Sequence, residues 1–324
     1  MAATVKFFPA IFVVAAFLSS SLAQQAPQKV PPEARSVLVS VCDRRGVSVR
    51  DLSKDNFRVR LNGKPVIVLD AHYSVTPRRI VVLLDVSGSM TNGKSQKWQI
   101  ARAALDDLLT VTPPEVPLAM LTFSRQVQKV FDFRQGRPAI ANWLKENPEM
   151  PPKSRIGGPT ALLNAILEGL KLLQPSQPGD VVYAITDGGD NVSQASKERV
   201  TAAMLSSGVR LFAFVFEEPT SIYEHKDDFL ATVADSGGFA FGVAGSPNSS
   251  GPSRKDLYLL DKDNQKKVLA TAEELNLLVH GFWTLDLAAS PSNKNRKLQA
   301  DVVDQNGTRK DVLLLYPRLL LGAK

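Results

Sequence analysis

Hydrophobic and polar positions follow two different patterns along this chain. Residues 36–73 alternate apolar and polar side chains in short runs, and Asn62-Gly63 separates two of these runs with a dipeptide typical of a two-residue hairpin turn. The same alternation returns after residue 282. Between these segments the apolar runs become continuous, as in "RRIVVLLD", which is typical of strands buried on both faces of a sheet.

In the middle segment the continuous runs alternate with helical patterns. The first helical pattern spaces its apolar residues for one helix face, at Trp98, Ile100, Ala101, Ala104, Leu105 and Leu108. The runs that predict strands are "RRIVVLLD", "VPLAMLTFS", "QVQKVFDF", "DVVYAITD", "VRLFAFVF" and "FAFGV". We predict an α/β fold with a Rossmann-like, doubly wound, mostly parallel sheet and a hairpin at one edge. A last helix is predicted to begin at Thr271, because Thr271 and Glu274 have capping-box spacing.

These patterns divide the chain into segments. Residues 24–77 are predicted to form an N-terminal β segment, residues 78–282 the α/β domain, and residues 283–324 a C-terminal β segment. We expect the C-terminal segment to pack with residues 36–73. The two would form one small β domain into which the α/β domain is inserted.

Residues 1–23 have the three-part layout of a secretory signal peptide. Lys6 precedes an apolar stretch, and Ser21 and Ala23 are small residues at the positions that a signal peptidase requires. The stretch is short for a membrane-spanning helix and Pro9 interrupts it, so we expect cleavage, with an uncleaved anchor as the alternative. The protein is then exported, either periplasmic or secreted, and contacts a membrane only if this segment is retained.

Composition narrows the range of functions. Apolar residues make up 44% of the 324 positions, which allows a proper core. Cys42 is the single cysteine, so burial rather than an internal disulfide must stabilise the fold. The formal net charge of +7 comes from scattered Lys and Arg residues, which favours solvated faces over nucleic-acid binding. Because the glycine-rich loops that bind nucleotides are also missing from the sequence, we expect neither nucleic acid nor nucleotide as a partner.

Oxygen-bearing side chains gather at the predicted carboxyl edge of the sheet. Asp85, Ser87 and Ser89 follow the first buried strand, Asp187 ends a second one, and Thr160 precedes a helix in "GGPTALL". Loops from neighbouring parallel strands meet at this edge. Carboxylate and hydroxyl oxygens suit a hard divalent cation, so the pattern predicts a Mg²⁺ site, with Ca²⁺ and Mn²⁺ as alternatives.

The choice of hydroxyls suggests how such a site would work. If the neutral oxygens of Ser87, Ser89 and Thr160 form most of the inner shell, Asp85 and Asp187 can act through bound water. The cation then stays electron-poor and, because Mg²⁺ dehydrates reluctantly, keeps waters until another ligand arrives. An exposed Asp or Glu of a partner protein would be a suitable ligand.

The order of these motifs resembles the metal-ion-dependent adhesion site of the von Willebrand factor A family. "DVSGS", a Thr after Gly-Gly, and "TDG" stand in the family's order, and the resemblance covers residues 78–282. The flanking β segments are similar, more loosely, to the ends of a bacterial secreted group of related proteins. The resemblance implies a Rossmann-like sheet, a bound Mg²⁺, and non-catalytic recognition of a protein ligand through an acidic side chain.

Two other functions remain open. A metal-assisted phosphoester hydrolase would need a general base beside the metal, for which Asp190 is the candidate, and a nearby lysine, for which Lys94 is the candidate. Asp190 fits a helix-capping residue better than an accessory metal ligand. The third function is a scaffold in which the metal is purely structural. The three histidines lack zinc-ligand spacing, and the serines lack the glycine pattern of a nucleophile elbow.

Overall fold

The computed structural model describes residues 34–43, 46–90, 97–148, 158–216, 226–243, 262–290 and 292–322. The strands are β1 (Arg35–Asp43), β2 (Phe57–Leu61), β3 (Lys64–Val66), β4 (Val68–Ser74), β5 (Ile80–Asp85), β6 (Leu118–Phe123), β7 (Val127–Phe131), β8 (Val181–Thr186), β9 (Arg210–Phe216), β10 (Ala240–Val243), β11 (Phe282–Leu287), β12 (Arg296–Asp304), β13 (Gly307–Thr308), β14 (Val312–Leu315) and β15 (Leu319–Leu320). The helices are α1 (Lys97–Val111), α2 (Gly136–Glu146), α3 (Leu162–Leu172), α4 (Lys197–Ser207), α5 (Lys226–Asp235) and α6 (Lys262–Val279). The predicted signal peptide, residues 1–23, and Lys94 lie outside the described residues. Within the described part of the chain, no helix is both long enough and apolar enough to cross a membrane.

The continuous apolar runs form the central sheet. Its strand order is β10-β9-β8-β5-β6-β7, and all neighbours are parallel except β7, which pairs antiparallel with β6 at one edge. Side chains of β5 alternate between two cores. Ile80, Val82 and Leu84 pack with α1, α2 and α6, whereas Val81 and Leu83 pack with α3, α4 and α5. Because both faces are covered, no position on β5 needs a polar residue, and the prediction of a doubly wound, mostly parallel sheet is confirmed.

The alternating flanks form two antiparallel sheets with a shared core. One sheet has the order β14-β1-β11-β4 and the other β13-β12-β2-β3, with β15 also paired to β12. In the core, the ring centroid of Trp283 lies 5.6 Å from that of Phe57 and 5.4 Å from that of Tyr73. Because β1 pairs with β11 and β2 with β12, the two ends of the chain build this β unit together, as predicted. The boundaries at residues 77 and 282 stay predictions, since residues 32–324 form one compact unit.

The hairpin at Asn62-Gly63 joins β2 to β3. Both residues have positive φ, 50° and 78°, as a type I′ turn requires. The strand that we predicted after this turn is interrupted at Ile67, because β3 belongs to the sheet of β2 whereas β4 pairs with β11 in the other sheet. A strand that changes sheets at a corner is a common feature of packed antiparallel sheets.

The last helix begins nearer the N-terminus than predicted. α6 starts at Lys262, so Thr271 lies in the helix interior and the capping-box prediction is wrong. The preceding residues, "KDNQKKVLA", contain good helix formers and neither Gly nor Pro, so the helix continues through them. The capping-box spacing of Thr271 and Glu274 therefore does not mark a helix start in this chain.

Arg210 on β9 connects the central sheet to the β unit. Its buried guanidinium donates from Nη1 to Oγ of Ser40 at 2.9 Å and lies 4.6 Å from the ring centroid of Phe282. Burial lowers the pKa of Arg210 to about 9. A hydroxyl and an aromatic face thus hold this buried cation between the two parts of the fold.

Candidate metal centre

Adjacent parallel strands bring the two predicted carboxylates together. β5 and β8 pair with Leu84 opposite Ile185, so Asp85, the last residue of β5, and Asp187, the first residue after β8, lie at the same edge of the sheet. Both are almost completely buried. Because β5 and β8 are neighbours in the sheet, two carboxylates about a hundred residues apart in the sequence lie next to each other.

Hydrogen bonds hold both oxygens of Asp85 in place. Oδ1 accepts from the backbone N–H of Ser87 at 2.8 Å, and Oδ2 accepts from Oγ1 of Thr186 at 2.7 Å. Burial first, and then the charge of Asp187, raise the pKa of Asp85 above its usual range, while these hydrogen bonds oppose the rise. Asp85 is therefore fixed by the protein and suited to orient water.

The hydroxyls of Ser87 and Ser89 lie side by side. Their Oγ atoms are 3.0 Å apart, because residues Gly88–Met90 form a 3₁₀ turn closed by a hydrogen bond from Met90 N to Ser87 O at 3.1 Å. The side chain of Met90 is buried in the core and anchors this turn. Oxygens on neighbouring corners of a Mg²⁺ octahedron, at about 2.1 Å from the metal, are roughly 3 Å apart, so the spacing of the two hydroxyls fits a shared cation.

Asp187 has one oxygen that no hydrogen bond uses. Oδ1 accepts from Gly189 N at 3.2 Å, whereas Oδ2 is buried without a hydrogen-bond partner among the described residues. Nζ of Lys97 lies 3.8 Å from Oδ2. A buried carboxylate oxygen left without a hydrogen bond is costly, and a cation at this position would remove that cost.

Backbone hydrogen bonds hold Thr160 at the same edge of the sheet. Its N–H donates to Oδ1 of Asn191 at 2.8 Å, and its carbonyl accepts from Asn191 N at 3.0 Å. The next residue, Ala161, donates its N–H to Ser124 O at 2.8 Å in the loop after β6. Thr160 is thus held between the loops that follow β6 and β8, close to the sheet edge where Asp85 lies.

Asp190 caps a helix. Its Oδ2 accepts from Leu163 N in the first turn of α3 at 2.7 Å, and its Oδ1 accepts from Ser193 N at 3.0 Å. Both carboxylate oxygens are therefore engaged with backbone donors. This arrangement agrees with the helix-capping interpretation and gives no support to Asp190 as a general base.

Two contributors to the site were not identified from the sequence. In the sequence, Thr186 stands out only as part of the "TDG" motif, and Lys97 belongs to no motif. Lys97 is buried, and its Nζ donates to Ser89 O at 3.2 Å. Its position gave a signal, because Lys97, Ala101, Ala104 and Leu108 follow helical spacing and share the buried face of α1.

The donor set fits a hard cation. Among the described residues there is no group of three or more His, Cys, Asp or Glu side chains that could hold a metal, so a cation at this edge must rely on hydroxyls beside the carboxylates. Paired buried carboxylates, two adjacent hydroxyls and an unused carboxylate oxygen supply oxygen ligands alone, which suits Mg²⁺ better than a thiophilic metal.

A family model confirms the class of domain. Residues 80–189 match the model described as von Willebrand factor type A domain, a span that starts with β5 and includes all five predicted ligands. The chain therefore contains a von Willebrand factor type A domain. Domains of this family typically mediate protein–protein interaction and are generally non-catalytic. A search among curated proteins finds no match.

Solved structures with a similar arrangement were also found. A von Willebrand factor type A protein from Catenulispora acidiphila is 11% identical, with a TM-score of 0.42, and the match covers 90% of this chain and 75% of that chain. A human COPII-coat protein is 12% identical, with a TM-score of 0.43 and coverage of 78% and 46%. Proximal thread matrix protein 1 of the mussel byssus is 19% identical, with a TM-score of 0.42 and coverage of 61% and 48%. The chain spans just under half of the last two proteins.

Proposed function

We propose that this protein is an exported, non-catalytic module that binds a protein partner through a divalent cation, with Mg²⁺ as the first choice. The five ligands would be Asp85, Ser87, Ser89, Thr160 and Asp187. The observation that supports this most strongly is the buried pair of carboxylates beside two hydroxyl oxygens 3.0 Å apart. An exposed Asp or Glu of the partner would complete the coordination.

The proposed ligands would have different roles at the cation. The hydroxyls of Ser87 and Ser89 would bind the cation directly, and Oδ2 of Asp187 offers its unused lone pairs. Asp85, held by Ser87 N and Thr186, would orient a bound water. The cation would supply the positive charge that attracts a carboxylate. Ser89 is half-buried rather than buried, which leaves this side of the site accessible to a partner.

The location and partner type belong to the same proposal. The signal-like residues 1–23 support export, to the periplasm or beyond the cell. The scattered basic residues favour solvated faces over nucleic-acid binding, and the sequence has no glycine-rich loop that would bind a nucleotide. The phosphoester hydrolase would find a nearby lysine in Lys97, 3.8 Å from Asp187, but not its candidate general base, since both carboxylate oxygens of Asp190 accept from backbone donors.

Cation binding is the first test. Mg²⁺ and Mn²⁺ would be titrated calorimetrically into the mature protein, in chloride and in acetate buffer, with acetate as the carboxylate probe and with correction for its binding to free metal. We expect one cation per chain in the wild type and binding at least about tenfold weaker in Asp85→Ala and in Ser89→Ala.

The control variant is Ser206→Ala. The hydroxyl of Ser206 donates to Ala203 O on α4 and is not part of the site, so this variant should bind metal like the wild type. If the wild-type protein bound no cation in either buffer, the proposed metal site would be rejected. If Ser206→Ala weakened binding as much as Ser89→Ala, the loss would reflect general destabilisation.

A further inference from the structure

A buried lysine contacts both halves of the candidate metal site. Lys97 is the first residue of α1, and its side chain is only 3% exposed. Its Nζ lies 3.8 Å from Oδ2 of Asp187 and donates to Ser89 O at 3.2 Å. An ammonium group is almost never buried without a compensating charge, and the carboxylate of Asp187 supplies one here.

The role of Lys97 follows from the formal charges at the site. Asp85 and Asp187, when ionised, would just neutralise a divalent cation, but the ammonium of Lys97 already balances one of the two. Adding Mg²⁺ beside it would leave a surplus positive charge in a buried place, which is unfavourable. One further carboxylate would restore neutrality.

We propose that Lys97 makes cation binding at this site conditional on an anionic ligand, which would be the carboxylate of the partner. The inference rests on the proposed function and assigns this chain's own lysine a role in it. Without the cation, the ammonium lies beside Asp187 and compensates one of the two carboxylate charges. With cation and partner both bound, the charges cancel.

This role predicts a change in cation affinity that a purely structural ion pair would not give. If Lys97 repels the cation, removing its charge should strengthen cation binding. Even at an effective dielectric constant of about 20, repulsion between an ammonium and a divalent cation a few Å apart corresponds to more than a tenfold change in affinity. A lysine that only stabilises the fold would leave cation affinity unchanged.

The experiment compares Lys97→Met with Lys197→Met. Lys197 also begins a helix and pairs with an aspartate, Asp228, at 3.3 Å, but at the surface, so its removal changes net charge equally without affecting the site. Calorimetric titration with Mg²⁺ in chloride buffer should show binding at least about tenfold tighter in Lys97→Met than in the wild type, with Lys197→Met unchanged. The gain in affinity from acetate should be larger in the wild type than in Lys97→Met.

Thermal unfolding gives a second readout. In EDTA, Lys97→Met should melt at a lower temperature than the wild type, because two buried carboxylates lose their counter-charge, and Mg²⁺ should restore most of the loss. Lys97→Gln is a second neutral variant, able to hydrogen bond with the same oxygens, in case Lys97→Met does not fold.

The outcomes separate this inference from the proposed function. Equal Mg²⁺ affinity in the wild type, Lys97→Met and Lys97→Gln would overturn the role of Lys97 and leave the metal site intact. If neither the wild type nor a folded neutral variant bound Mg²⁺ in chloride or acetate, the metal site itself would fail, and this inference with it. If neither variant folded, a wild-type Mg²⁺ affinity that acetate did not change would overturn it.

Discussion

The hydroxyl of Thr186 donates a 2.7 Å hydrogen bond to Oδ2 of Asp85, from β8 to β5 across the central sheet. The same Oγ1 accepts from Gly188 N at 3.1 Å. Thr186 therefore fixes the carboxylate of Asp85 and, through the backbone turn after β8, the position of Asp187. A single hydroxyl therefore helps to position both Asp85 and Asp187.

Thr186→Val should weaken both the fold and the candidate site. Valine keeps the shape of threonine, but Asp85 would lose a buried charge-assisted hydrogen bond, and we expect a loss of about 2 kcal/mol in the free energy of unfolding. Mg²⁺ affinity should fall by roughly tenfold, because Asp85 would no longer be held in position. Urea denaturation and calorimetry would measure the two effects.

The control for this prediction is Thr201→Val. The hydroxyl of Thr201 lies 3.1 Å from that of Thr232, between α4 and α5, so its replacement removes a hydrogen bond between neutral groups. Its cost should be about 0.5–1 kcal/mol, with no change in Mg²⁺ affinity. Equal effects of the two variants on stability and on affinity would argue against a special role for Thr186.

Thr160→Ala should remove a predicted metal ligand without disturbing the fold. The hydrogen bonds recorded for Thr160 with Asn191 run through its backbone, which alanine retains. We therefore expect the melting temperature in EDTA to change by less than about 2 °C, while Mg²⁺ affinity falls by tenfold or more. Melting curves with and without Mg²⁺, together with calorimetry, provide the measurement.

Asn191→Ala serves as the comparison for Thr160. It removes the amide oxygen that holds Thr160 N, so it should lower the melting temperature as well as Mg²⁺ affinity. A Thr160→Ala protein that melted as early as Asn191→Ala in EDTA would show that the Thr160 side chain stabilises the fold rather than the bound metal.

The fold was predictable where hydrophobic patterns were unambiguous. The run before Asp85 could be identified as a buried strand because both faces of β5 are covered. The split at Ile67 could not be predicted, because no residue there breaks a strand. β3 and β4 are distinct strands only because they pair in different sheets. The start of α6 was misplaced because a capping-box spacing also occurs within a continuous helix.

The part of the candidate site that lies at the ends of strands was predictable from the sequence. Asp85 and Asp187 could be placed together because parallel strands end at one edge. Lys97 was missed because lysine at a helix start is normally solvated, and only the packing of α1 against the sheet brings it beside Asp187. The metal ligands themselves stay predictions, to be tested by titration.

Asp190→Ala should destabilise the protein without removing the metal site. The buried carboxylate caps α3 at Leu163 N and also accepts from Ser193 N, so its loss should cost about 2 kcal/mol of unfolding free energy. Mg²⁺ affinity should stay within roughly threefold of the wild type. Asp190→Asn, which keeps one acceptor oxygen, should lose less stability. A tenfold loss of affinity in Asp190→Asn, with stability preserved, would instead assign Asp190 as an accessory ligand.

His280, just after α6, should make the protein sensitive to mild acid. Burial, and secondarily the charge of Arg210, lower the pKa of His280 from its ordinary 6.5 to about 4. Its Nδ1 has no hydrogen-bond partner among the described residues, and Nε2 lies 3.4 Å from Oγ1 of Thr112. In the unfolded chain the imidazole binds a proton as pH falls below 6.5, whereas in the folded protein it stays neutral until pH approaches 4.

At His280 the unfolded state therefore binds more protons between pH 6.5 and 4, so the contribution of this residue to the free energy of unfolding should fall as pH falls through this window, by at most about 1 kcal/mol per pH unit. Above pH 6.5 the effect should vanish, because His280 is neutral in both states. His280→Gln removes the titrating group, so its stability should depend less steeply on pH. His72→Gln, at an exposed histidine on β4, is the comparison variant with the same chemical change. Urea denaturation at half-unit steps from pH 4 to 8 gives the slopes, and equal slopes for all three proteins would mean that His280 is not held neutral by the fold.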